Sequence, residues 1–484
     1  MNMDTPFFPL WRARLAAFGL RAPSLRALPL PHIEKLFSHI LPAGLLAQAE
    51  TGDNSRDRLY PLRGTFWGFL WQMLHPGTPC REVVRQIEAL FCGAGLSTSV
   101  DEGTSAYCQA RKRLPLKVLQ RARTAAADHA QKLLPQDQQR WRGWRLKVAD
   151  GSTLSLADTP ANQRAYPQLA SQKPGCGFPL LKIVGVFSLA SGALLGYAKG
   201  NKHSAELPLL FRLRSLFQSG DLLLADRGFC SYVVMALLEM MGVACLFRLH
   251  HARPDDLRGG IRLGQKDRLV VWRKPQQKPR YLPKALWRRV PDELTVRVLR
   301  VKLDLPGFRT QTVTLATTLS DAQAYPAQEL AALYLRRWRI ELWWRHLKTS
   351  MGMEVLRCKT PAMIHKELEM YLTGYNLIRG LMAEAASLYG QPVEQVSFKG
   401  SVDAVRQYSP LIAQASSGKK QRRLIKDLLR VLALDLVPDR PGRREPRAVK
   451  RRPKPYPLLT KPRKSYREIS HRSRYRKAAS KESR

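Results

Sequence analysis

LLLADRGF, residues 222–229, is four apolar residues followed by an acid and a glycine turn. A run this short, with no polar alternation, reads as a strand buried on both faces, as the central strands of a parallel sheet are. Downstream, SYVVMALLEMM (231–241) has helical texture and VACLFRL (243–249) is a second apolar strand. Upstream lie the helix-like ELPLLFRLRSLF (206–217), and LKIVGVFSL (181–189) joined at Ser191-Gly192 to ALLGYAKG (193–200). Before these comes WRLKVADGSTL (144–154), a short β-like run ending in Asp150-Gly151. Strands, hairpin, helix, apolar strand, helix, strand: the order predicts an α/β domain, a mixed sheet with helical cover.

The flanks differ in texture. FWGFLWQML (66–74), REVVRQIEALF (81–91) and AYCQARKRLP (106–115) carry apolar residues at helical spacing, so residues 1–140 are expected to be a helical N-terminal domain; the Arg and Lys of 106–115 make it a candidate DNA-binding domain, with a solvated helix surface as the plain alternative. TVRVLRVKL (295–303) and TQTVTLATTL (310–319) alternate with period two, which predicts a β-rich insertion over 250–322. It splits the α/β core into 141–249 and 323–400. Pro326 opens a long helix through about Ser350, closed by Gly352, and a second helix follows over roughly 361–389. Residues 401–440 are expected to be helical. The tail, 441–484, holds 17 Lys/Arg and 3 acids, and its Pro, Arg, Lys and Ser content predicts disorder without a partner.

Composition narrows the partner. The chain of 484 residues has 81 Lys+Arg against 38 Asp+Glu, a net charge of +43. So large an excess repels itself unless a polyanion is bound, which points to nucleic acid first and an anionic membrane surface second. The longest uncharged run, Ile183–Ala198, is too short and turn-rich to span a bilayer. Seven scattered cysteines form no CxxC and no zinc spacing, so reduced thiols in a cytoplasmic, DNA-associated protein are expected. No Walker A, dinucleotide or GxSxG pattern is present, so no nucleotide cofactor is expected. His250-His251 reads as a loop pair.

Asp150 and Asp226 each end a predicted apolar strand and precede a glycine, the sheet edge where ligands and metals collect. Asp-Gly is also ordinary turn chemistry. YLRRWRIELWWRHLK (334–348) sharpens the case. At about 100° per residue from Tyr334, Arg337 falls at about 300°, Glu341 at about 340° and Lys348 at about 320°. One helix face thus presents an acid among cations and aromatics, with a surface ion-pair network as the plain alternative.

Tyr334-x2-Arg337-x3-Glu341-x6-Lys348 resembles the signature of the IS4-type bacterial transposases, whose catalytic triad is Asp, Asp, Glu. DGSTL (150–154) looks like the segment around the family's first aspartate, LLLADRGF like that around its second, and AYCQARKRLP like part of its N-terminal region. The resemblance covers roughly 60–400. It implies a ribonuclease-H-like core interrupted by the β insertion, with Asp150, Asp226 and Glu341 as metal ligands and catalytic residues. Tyr334, Arg337 and Lys348 would hold a DNA phosphate; the family also stacks a tryptophan of its insertion on a flipped base, for which Trp272 or Trp287 is available, although no motif chooses between them and a place in the core is the expected fate of either. Three converging carboxylates repel unless divalent cations neutralise them, and oxygen-only ligation suits Mg²⁺, with Mn²⁺ substituting. Two such ions about 4 Å apart serve an in-line displacement. The expected function is cut-and-paste transposition through a hairpin, on double-stranded terminal repeats and target DNA, by a homodimer. The alternatives are a nuclease that does not join strands and a non-catalytic DNA-binding derivative.

Overall fold

The computed structural model describes residues 33–47, 59–93, 103–173, 177–250, 252–253, 258–303 and 311–438. The basic tail and the first 32 residues lie outside them, as does His251. The strands are β1 (Arg140–Trp141), β2 (Trp144–Leu156), β3 (Leu180–Ser188), β4 (Leu194–Gly200), β5 (Asp221–Ala225), β6 (Ala244–Arg248), β7 (Ile261–Gly264), β8 (Asp267–Arg273), β9 (Glu293–Leu303), β10 (Gln311–Thr317) and β11 (Val355–Leu356). They form one mixed sheet in the order β4-β3-β2-β5-β6-β10-β9-β8-β7, with β1 and β11 paired to β2. β5 is parallel to β2 and β6, and β3 is antiparallel to both its neighbours. The strands of the predicted insertion therefore extend the core sheet, because β10 pairs antiparallel with β6.

The main helices are α1 (Leu62–Leu74), α2 (Cys80–Gly93), α3 (Ser105–Arg113), α4 (Leu116–Lys132), α5 (Glu206–Arg212), α6 (Tyr232–Glu239), α7 (Ala327–Arg336), α8 (Arg339–Arg345), α9 (Pro361–Tyr389), α10 (Phe398–Ala413) and α11 (Gly418–Leu434). They cover both faces of the sheet. Because side chains alternate along a strand, Leu222 and Leu224 of β5 join the core under α1, α4, α7, α8 and α9. Leu223 and Ala225 join the opposite core under α5 and α6. All five β5 residues are buried, as a central parallel strand requires.

α9 is the spine. Its N-cap Thr360 accepts from the Met363 N–H, Pro361 takes the first turn, and Gly390 ends it at φ +66°. It is buried nearly all round, so its polar groups are paired internally. Glu369 receives Arg123 of α4 at 3.0 Å and Tyr197 Oη at 2.9 Å. Asn376 accepts from the Leu194 N–H at 2.9 Å, and Tyr375 donates to the Gly192 carbonyl at 2.7 Å.

Two local expectations need correction. Asp150 does not end a strand: β2 runs on through Gly151 to Leu156, held by β3 along its length and by β11 at its end. The helix from Pro326 is not continuous either. It stops at Arg336, resumes at Arg339, and widens into a π-helical turn over His346–Ser350. Across the break the bonds shorten to i→i+3, as from Arg337 N–H to the Tyr334 carbonyl and from Glu341 N–H to the Trp338 carbonyl. Ideal helical angles therefore do not carry through to Lys348.

Candidate active site

β2 and β5 pair in parallel as far as Val148 and Leu224. Two residues further along each chain come Asp150, still within β2 and on the face of Val148, and Asp226, the first residue after β5. Asp226 caps the turn that follows β5, accepting from the Gly228 N–H at 2.9 Å. The α7–α8 junction packs over the same face through Tyr334, Ile340, Trp343 and Trp344. Gly185, opposite Asp150 on β3, is what admits it: a Cβ there would lie 3.0 Å from Trp344 Cζ2.

Burial pushes the Asp150 carboxyl up to about 7, with the Asp226 and Glu206 carboxylates adding to the rise and the Arg337 guanidinium opposing it. Arg337 is itself buried, 3.6 Å from Glu341 Oε1, with its guanidinium 5.6 Å from the centre of the Tyr334 ring. Its Nε has no hydrogen-bond partner among the described residues. Tyr334 is buried too, and its phenol is raised, chiefly by burial, beside Arg337, Asp226 and Arg248.

Four of the six expected residues, Asp150, Asp226, Tyr334 and Arg337, thus share one electrostatic neighbourhood. Glu341 stands at its exposed rim and is linked through Arg337. Lys348 sits in the π-helical turn with its ammonium 4.0 Å from Glu354, next to β11. Sequence reasoning missed Glu206 and Arg248. Glu206, the first residue of α5, reaches the space beside Gly151, where a Cβ would lie 2.1 Å from its Oε1. Burial raises its carboxyl and Asp226 adds to the rise. At the first position of an amphipathic helix it looks like an acid complementing the helix dipole, so only the three-dimensional contact marks it. Trp272 is buried under Arg253, 3.7 Å from the ring centre, while Trp287 is half-buried beneath Lys274 at 4.8 Å.

The family described as Transposase DDE domain matches residues 141–377, a span that holds all six expected site residues. Transposase InsG for insertion sequence element IS4, of Escherichia coli (strain K12), is 31% identical over 429 residues, 86% of this chain and 91% of that protein. The chain belongs to the IS4 family of DDE transposases. DDE transposases use divalent metal ions. Among solved structures, the piggyBac transposase synaptic complex with hairpin DNA aligns at a TM-score of 0.42 and 10% identity, covering 83% of this chain and 84% of that one. Among the described residues no helix is long and apolar enough to cross a membrane.

The raised Asp150 carboxyl has a measurable consequence in the metal-free IS4-family protein. The carboxyl titrates at 3.8 in the unfolded chain and at about 7 in the folded one, so its charge destabilises the fold fully above pH 7 and not at all below pH 3.8. Asp150→Asn removes that charge. Urea unfolding in chelator near pH 8 is expected to show the variant more stable by about 2–4 kcal/mol, since each tenfold change in proton affinity is worth roughly 1.4 kcal/mol. Near pH 4 the gain should vanish. Equal stability at both pH values would show that Asp150 is not held in this crowded setting.

Proposed function

We propose that the chain catalyses cut-and-paste movement of an insertion sequence, by metal-dependent cleavage at its ends and strand transfer through a hairpin intermediate. That it is a DNA transposase, hence a polynucleotidyl transferase and endonuclease, follows from its family. The observation that carries the mechanism is the meeting of Asp150 of β2 with Asp226, the residue that follows β5, in one charged neighbourhood with Arg337, which in turn contacts Glu341. The strand run β4-β3-β2-β5-β6, an antiparallel meander continued by two parallel strands, supports a ribonuclease-H-like core for residues 141–249 and 323–400.

We assign Asp150, Asp226 and Glu341 as holders of two Mg²⁺ ions, with Mn²⁺ able to substitute. The donor set is oxygen only, and the Asp226 and Glu206 carboxylates add to the burial that raises Asp150, a crowding that a divalent cation would relieve. When bound, the ions supply polarisation of the attacking hydroxyl and neutralisation at the leaving oxygen. Arg337 offers a buried guanidinium with an unfilled Nε–H, suited to a planar contact with a DNA phosphate. Tyr334, held in place by burial beside it, steadies that phosphate and is no nucleophile. Lys348 is assigned to the same phosphate-holding set. The partners are double-stranded terminal repeats and target DNA, bound by a homodimer in the cytoplasm, with helices within 1–140 adding DNA contacts.

Incubation with Mg²⁺ and pre-cleaved ends is expected to give joined product. Cleavage without joining would favour the nuclease reading, and binding alone a non-catalytic derivative. Arg337 provides a finer prediction. An ammonium cannot make the two-point contact of a guanidinium, so Arg337→Lys should accumulate nicked DNA and form hairpin about 10–100-fold more slowly. A time course on end-labelled DNA resolves nicked, hairpin and blunt species. Wild-type passage through all three would mean that Arg337 serves only as the ion-pair partner of Glu341.

A further inference from the structure

Away from the catalytic face, three side chains from distant parts of the chain meet at one point. His39 lies in the short turn Ser38–Ile40, His129 in the last turn of α4, and Glu384 in the C-terminal half of α9. His129 Nε2 is 2.6 Å and His39 Nε2 3.0 Å from the same oxygen, Glu384 Oε1. All three ligand atoms lie within 4.8 Å of one another. The two rings meet edge to face, at 80° and 5.7 Å between centres.

The surroundings are shaped for this meeting. One turn before Glu384, Gly380 leaves room for the His129 ring, since a Cβ there would lie 3.2 Å from His129 Cδ2. The His129 and Glu384 side chains are only 24% and 16% exposed, whereas His39 is 51% exposed and leaves one side open to solvent. A simple ion pair needs one imidazolium per carboxylate. Without metal the two rings can share the Glu384 oxygen as hydrogen-bond donors; charging both adds repulsion, whereas neutral rings turned to acceptors can share a cation with the carboxylate. Two imidazole nitrogens and one carboxylate oxygen are a zinc-type donor set, and ligand atoms of a tetrahedral site with bonds of about 2.0–2.1 Å stand about 3.3 Å apart.

We propose that His39, His129 and Glu384 bind one divalent transition-metal ion of the zinc class, with water at the fourth position. Nitrogen ligation sets this site apart from the oxygen-only catalytic carboxylates, so Mg²⁺ does not compete for it. Occupancy clips the Ser38–Ile40 turn to α4 and α9, tying the N-terminal helical segment to the body of the enzyme.

The test is calorimetric titration of the chelator-stripped full chain with Zn²⁺, without DNA and in excess Mg²⁺. One equivalent is expected to bind. His39→Ala, which removes an exposed ring, and His129→Ala should each weaken it beyond the ~10–100-fold that loss of an outer-shell partner costs. Zn²⁺ should raise the melting temperature of the wild type and not of His39→Ala, which reports the site without using activity. Cys80 and Cys108 share a hydrogen bond and are the rival zinc ligands, so a Cys80→Ser, Cys108→Ser double variant should bind as the wild type does. No zinc uptake by the wild type, unchanged uptake by the His39→Ala, His129→Ala double variant, or loss in the cysteine variant would each overturn the proposal.

Discussion

Asp150→Ala, Asp226→Ala and Glu341→Ala are each expected to lose cleavage by about 10³-fold or more while binding to transposon ends survives. Losing a ligand removes metal stabilisation worth several kcal/mol at the reacting phosphate. Affinity rests instead on Lys and Arg contacts to the backbone, which the chain's +43 charge supplies in excess. Glu341 is the sharper test, since it stands exposed at the rim and touches the group through Arg337. Gel shift and cleavage on the same labelled end, in Mg²⁺, separate binding from chemistry. Substantial cleavage by any one variant removes that residue from the metal set. In the same series Glu206→Gln should raise the metal concentration needed for half-maximal cleavage, as the loss of one flanking negative charge requires.

The second large effect concerns stability. Arg297 of β9 is 1% exposed and grips both oxygens of Asp267 of β8, Nε to Oδ1 at 2.9 Å and to Oδ2 at 3.2 Å, and Nη2 to Oδ2 at 2.6 Å. Its remaining nitrogen, Nη1, donates to the Tyr325 carbonyl at 2.7 Å, just before α7 begins. The guanidinium therefore joins the inserted strands to the segment that launches Tyr334 and Arg337. Asp267→Ala leaves a buried cation without its counter-charge and should cost about 3–5 kcal/mol in urea unfolding. Replacing both partners, as Arg297→Met with Asp267→Leu, should recover much of that loss because no charge is left stranded. A wild-type unfolding midpoint in Asp267→Ala would mean that water or another acid reaches Arg297.

The legible parts of this molecule were those set by local pattern. β5 and β6 show as apolar runs, β9 and β10 as period-two alternation, and α9 covers the expected 361–389. Asp226 was marked by the strand before it, and the spacing of Tyr334, Arg337 and Glu341 by the family signature. What did not show depends on distant partners. Nothing within 313–317 says that β10 will dock on β6 rather than close a separate β unit. Asp150-Gly151 reads as a turn, yet Gly151 continues the strand because β3 pairs it with Val184 and its bare Cα gives way to Glu206. The break at Arg337–Trp338 contains neither glycine nor proline, so no breaker signal announces it.

The docking of β10 on β6 also governs how the molecule behaves in solution. β6 is an apolar strand, Ala244-Cys245-Leu246-Phe247, buried along its length. Were 250–322 excised, its outer row of amide and carbonyl groups would be bare, a template for a second chain to add to. The inserted strands move the open margin of the sheet outward to β7, a four-residue strand carrying Arg262, where shortness and charge discourage such addition. A shortened chain is thus expected to self-associate unless a strand, helix or loop seals β6.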